Sequence, residues 1–86
     1  MVSKYRVLSN DGLLALAFVS PNTVSEKHII VSVLPIERTG KGWDSTFEGK
    51  NLISDLFPRN TAHDAAIREL LGRAGVGGSY VISEVS

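Results

Sequence analysis

The chain has no cysteine, and that absence removes both a disulfide framework and a thiolate metal site as means of supporting a small fold. It has no excess of charge either. Nine basic residues balance nine acidic ones, which argues against a generic polyanion binder held by counterion release and equally against an acidic mimic of DNA. Long hydrophobic runs are missing as well. The longest, Leu13 to Val19, is far below the roughly 20 residues a membrane helix requires, and Met1 to Ser9 lacks the apolar centre of a signal peptide. These absences predict a soluble, cytoplasmic protein with no membrane partner. Low-complexity segments, linkers and internal repeats are also missing from the 86 residues, so residues 1–86 read as a single domain. A domain of this size buries only about 60 to 65% of its unfolded surface.

What is present is ordinary globular material, 43% apolar with mixed charge. Its clearest stretch is the last third, Asn60 to Ser86. Ala62, Ala66, Ile67, Leu70, Leu71 and Ala74 form an i, i+3, i+4 stripe, with His63, Asp64, Arg68, Glu69 and Arg73 on the opposite side, so a helix is predicted from Thr61 to Ala74. Thr61 is the expected cap, with Asp64 answering it three residues on. Gly75 stands where a left-handed stop belongs, Val76 is placed for the accompanying apolar contact, and Gly77-Gly78 turns the chain into a strand from Tyr80 to Val85.

Upstream, Lys4 to Leu8 alternates, with Tyr5 and Val7 on one face and Lys4 and Arg6 on the other, which is the period of a half-exposed strand. Ser9-Asn10-Asp11-Gly12 supplies hairpin chemistry. Leu13 to Val19 is apolar on both faces, as suits a central strand with a helix over one side and a partner, such as another subunit, over the other. His28 to Leu34 is rich in β-branched residues and reads as a third strand ended by Pro35. Trp43 to Phe47 is a short fourth strand in this reading, and Leu52, Ile53, Leu56 and Phe57 fall at the spacing of a helical turn closed by Pro58. The resulting fold class is α+β: an antiparallel sheet of four or five strands, one main helix in the C-terminal half packed on one face, order β-β-β-β-α-α-β.

Candidate chemistry is sparse. Gly75-Val76-Gly77-Gly78-Ser79 resembles a phosphate loop in composition, but phosphate cradles precede a helix, whereas these glycines follow one. His63 and Asp64 are adjacent on the helix and point in different directions, so they read as a solvated first-turn pair in place of a base and its orienting carboxylate. His28 has no partner at metal-ligand spacing. No nucleophile elbow is present. We therefore assign no catalytic, cofactor-binding or metal-binding residues and expect no enzyme. Arg38, Lys41, Lys50 and Arg59 flank Trp43 and Phe47, a basic and aromatic mixture interrupted by Glu37, Asp44, Glu48 and Asp55. Trp43 is either a core anchor or a half-exposed interface residue. The candidate partner-binding residues are Arg38, Lys41, Trp43, Lys50, Arg68 and Arg73, the last two for directed pairs from the outer helix face.

The layout also resembles a known family. Tyr5 to Val7, the Asn10-Asp11-Gly12 turn, the Leu16-Ala17 strand ending at Ser20, a third strand, a helix containing Ala65-Ala66 and a terminal strand are similar in order to small phage anti-CRISPR proteins. The likeness is to those that bind the nuclease domain of type II-C Cas9. The resemblance covers most of the chain as architecture, through turn and core residue types, and the lack of cysteine departs from it. It implies a protein that occupies a partner's surface without chemistry of its own, in the host cytoplasm if phage-encoded. The expected function is thus a small protein-binding module, an inhibitor from a phage or mobile element. The alternatives are a nucleic-acid-binding accessory domain using the Arg38 to Arg59 region and a self-assembling structural phage protein, for which a homodimer is the simplest form.

Overall fold

The computed structural model describes residues 2–10, 12–36, 38–39, 42–43 and 52–85, with the side chains of 38, 39, 42 and 43 excepted. Strand β1 (Ser3–Ser9) turns into β2 (Gly12–Pro21), which pairs with β3 (His28–Pro35). Short strands β4 (Arg38–Thr39) and β5 (Gly42–Trp43) pair with each other in a separate ribbon. Strand β6 (Ile53–Pro58) precedes helix α1 (His63–Arg73), and β7 (Val81–Val85) follows it. The main sheet has the order β6-β3-β2-β1-β7, antiparallel throughout. The α+β class, with a five-stranded antiparallel sheet and, among the described residues, one helix, is therefore observed, and Leu13 to Val19 lies in the central strand as its composition requires.

Alternation decides which face the helix covers. Val7 of β1, Ala15, Ala17 and Val19 of β2, Ile29, Val31 and Val33 of β3 and Phe57 of β6 point to one side, where Ala66, Ile67, Leu70 and Leu71 of the helix meet them. The positions on β2 and on β3 are spaced by two, and the register sets Val7 opposite Ala15 and Phe57 opposite Ile29, so one face supplies the whole sheet half of the core. The alanines keep that face low and let the helix approach. The expected stripe holds at its centre, but Ala62 is exposed and Ala74 half-buried.

A bulge adjusts the register near the hairpin. Val7 opposes Ala15 while Leu8 opposes Leu13, leaving Leu14 extra. Its side chain joins Ala15 against the core, and its carbonyl accepts the Ile36 amide at 2.9 Å. Such an insertion re-aims one side chain while the ladder continues on either side.

The two ends of α1 differ from each other in how they match the sequence. At the C-terminus, Gly75 has φ of 79°, its N–H donates to the Gly72 carbonyl at 3.1 Å, and the Val76 N–H donates to the Leu71 carbonyl at 2.9 Å. This is the predicted left-handed stop, and Val76 packs against the core. At the N-terminus the Thr61 cap is not formed. Ala62 occupies the cap position without a side-chain bond, and the Thr61 amide donates instead to the Pro58 carbonyl at 2.9 Å, drawing Thr61 into the turn that leaves β6.

The short helical turn expected between Asn51 and Pro58 is instead strand β6, paired with β3 from Val33↔Ile53 to His28↔Pro58. Ile53 and Phe57 fit either a helical or a strand spacing. Pairing satisfies the outer backbone of β3, which a helix of six residues, too short to be stable alone, would have left bare. The obstacle to a strand is Asp55, which falls between them on the helix side. Arg73 resolves it, with Nη1 at 2.6 Å from Asp55 Oδ2. Of the expected strand Trp43 to Phe47, residues 44–47 lie outside the described residues, and Trp43 pairs through its backbone with Arg38.

Candidate protein-binding face

Because α1 lies on one side of the sheet, the other side of each strand is left to the remaining residues. On β2 these are Leu16 and Phe18, and on β3 Ile30, Ser32 and Leu34, all half-buried. The register makes them contiguous: Arg6↔Leu16↔Leu34 forms one row across β1, β2 and β3, Lys4↔Phe18↔Ser32↔Ser54 the next, and Ser20↔Ile30↔Leu56 the third. Facing side chains in such rows stand about 5 Å apart. Leu8, Leu56 and Val81 extend the surface toward the edges, with 36%, 51% and 65% of their area exposed. The Ser32 and Ser54 hydroxyls satisfy each other at 2.8 Å. Among the described residues no element covers this face.

Its charge is one-sided. Lys4 and Arg6 are the ionised groups that the strands place there, while Asp55, Glu84, Asp64 and Glu69 all belong to the helix or to the helix side of the sheet. A chain with no net charge thus folds into a molecule whose open sheet face carries cations and, among the described residues of its strands, no carboxylate. Nothing in the linear order of charges shows this, since it is the β1–β7 register that puts Glu84 opposite Tyr5, on the other face from Lys4 and Arg6.

A second polar cluster sits on the helix side. The Tyr5 hydroxyl and His63 Nδ1 lie 2.6 Å apart, with the rings edge to face at 5.8 Å between centroids. Burial pushes the Tyr5 phenol above its ordinary ionisation range, and the Glu84 carboxylate opposite it on β7 adds to the shift by hydrogen bonding and by its charge. His63 was expected to be solvated beside Asp64; it is half-buried and ties the first turn of α1 to β1. The 58-residue separation left no signal in the sequence for this contact. No group of three or more His, Asp or Glu side chains among the described residues is arranged to hold a metal ion.

At one end of the sheet, Glu26, Lys27, Pro58, Arg59 and Asn60 line an open cleft of about 590 Å³. The Arg59 amide donates to the Lys27 carbonyl at 2.9 Å, joining two of the lining residues. Glu26 beside the two cations makes it a mixed-charge hollow without a single electrostatic preference.

Of the predicted partner-binding residues, Arg68 and Arg73 are the two whose side chains fall among the described residues. Arg73 is engaged within the chain, by Asp55 at 2.6 Å and by Glu69 at 3.4 Å one turn back. That pairing, with the Leu56 amide donating to Asp55 Oδ1 at 2.8 Å, holds the Asp55 carboxyl below its ordinary range and the Arg73 guanidinium above its own. Arg68 stacks over the Tyr80 ring at 5.2 Å. Arg38 and Trp43 belong to the β4–β5 ribbon by their backbones, their side chains lying outside the described residues, as Lys41 and Lys50 do entirely.

Fold and face together define an α+β protein in which, among the described residues, one helix covers one face of a five-stranded sheet and the other, cation-bearing face is uncovered. No protein-family model, no curated protein and no solved structure matches the chain.

Proposed function

We propose that this protein is a non-enzymatic binding module that acts by seating its open sheet face on a partner protein. The observation that supports this reading is the contiguous apolar surface of Leu16, Phe18, Ile30 and Leu34 on the two inner strands β2 and β3. Apolar side chains gathered on one face and rimmed by polar residues are characteristic of interaction sites, whereas isolated ones are common on any surface. Phe18 occupies the centre, where a buried aromatic contributes most to an interface.

The test is capture from a lysate of the source cell by the immobilised protein, with Phe18→Asp and Arg68→Ala as companions. A saturable one-to-one partner should bind the parent chain and Arg68→Ala and be lost with Phe18→Asp. Retention by Phe18→Asp with loss by Arg68→Ala would move the site to the outer helix face, and no stoichiometric partner at all would overturn the reading. A narrower role, inhibition of a type II-C Cas9 nuclease, rests on the resemblance of layout. DNA cleavage by such a nuclease that proceeds unchanged in the presence of excess protein removes that role and leaves the broader one standing.

A further inference from the structure

We infer that the segment received by the open face is amphipathic and acidic, an apolar ridge flanked on one side by carboxylates. This inference rests on the binding reading above and specifies the chemistry of the partner. The apolar strip formed by Leu16, Phe18, Ile30 and Leu34 is two strands wide. Adjacent strands lie about 4.8 Å apart, so with its side chains the strip spans about 10 Å, the diameter of one α-helix. Along its β1 side stand Lys4, opposite Phe18, and Arg6, opposite Leu16. Both are exposed, and the strands place no carboxylate on this face to neutralise them. A partner covering Phe18 therefore approaches both cations, and carboxylates at that flank would pair with them.

The same residues weigh against the other occupants. A second copy of this chain, packed face to face, would bring its own Lys4 and Arg6 with no acid on either strand surface, and burying unpaired charge is strongly unfavourable. Single-stranded nucleic acid binds sheets through aromatic platforms, and Phe18 is the one aromatic these strands present on the face. An anionic membrane is held by clusters of four to eight cations, against the two that the strands place here.

The experiment is an NMR titration of the full-length, isotope-labelled protein with two synthetic helical peptides, each bearing leucines on one side and either glutamates or lysines flanking them. The glutamate peptide should shift the Leu16, Phe18, Ile30 and Leu34 signals and bind at least about tenfold more tightly than the lysine peptide, with the preference reversed in the double variant Lys4→Glu/Arg6→Glu. Both substitutions are at exposed positions, and circular dichroism verifies the fold of the variant. Equal affinity for the two peptides would overturn the acidic chemistry while leaving the open face as a protein site. Failure of both peptides to shift these signals would overturn the inference, and the lysate capture would then decide the broader reading separately. Tighter binding of oligothymidylate, or of phosphatidylserine vesicles, at the same signals would overturn both readings. Concentration-dependent shifts of these signals without any peptide would identify a second copy as the occupant and overturn the inference.

Discussion

Gly75 shows how a single residue fixes the geometry of an element. Its φ of 79° places it in the left-handed region, and a Cβ built there meets nothing within 4 Å. The cost of Gly75→Ala is therefore conformational alone, about 1 to 2 kcal/mol, to be measured as a lower denaturant midpoint with an unchanged slope. This residue was legible in sequence because the stop is local and glycine has a specific reason to occupy it. Tyr5 was not legible. Its phenol is perturbed by burial, by Glu84 and by Asp64, groups brought to it by strand pairing and by the helix docking. In a Tyr80→Phe background, where Tyr5 is the remaining tyrosine, absorbance titration should show it ionising above its ordinary value near 10, and Glu84→Gln should bring it down. Since the folded state holds the phenolic proton more tightly than the unfolded chain, the stability derived from this environment is complete below the ordinary value and falls as pH rises through the folded one.

At the scale of elements, β6 and α1 are coupled through Asp55 and Arg73. Asp55 titrates lower in the folded protein, so the unfolded chain binds the proton more readily, and stability rises with pH across the window between the two values. Asp55→Asn should consequently narrow its difference from the parent chain as pH falls through and below the ordinary carboxylate range, a comparison made by denaturant unfolding at a series of pH values. An equal difference at all pH values would show that the pair is not responsible. High salt should shrink the effect, because both groups are about half exposed. Sequence spacing could not assign β6, since Leu52, Ile53, Leu56 and Phe57 fit a helical turn and Ile53 and Phe57 fit a strand equally. The outer edge of β3 decided between them by offering hydrogen bonds. The helix, by contrast, was placed from its stripe to within two residues at its start and one at its end, because eleven residues of amphipathic pattern overdetermine it.

For the whole molecule, the two faces of the sheet should respond differently to truncation. Leu70 has no exposed surface and lies between helix and sheet, so Leu70→Ala should cost about 2 to 5 kcal/mol. Phe18 is half-buried on the face away from the helix and lies outside the core cluster, so Phe18→Ser should lower stability far less while removing partner binding. Comparable losses of stability from the two substitutions, measured by thermal or chemical unfolding, would show that the second face is covered within the isolated chain. This contrast is also the molecular basis of the proposed function: a residue that contributes little to folding is free to serve recognition.

The sequence by itself determined the class of fold, the central place of Leu13 to Val19, the helix stripe and its glycine stop, since each depends on periodicity or on a local backbone requirement. Tertiary structure alone decided that Asn51 to Pro58 ends in an edge strand, that His63 meets Tyr5, and that Arg68 and Arg73 are engaged within the chain. It also decided that Lys4 and Arg6 stand beside an apolar strip on the sheet face away from the helix. The physical reason is the same in each case: hydrogen-bonding partners, burial and charge neighbours are properties of strand register and helix docking, and these join residues as far apart as Arg6 and Ser83 that no local pattern relates.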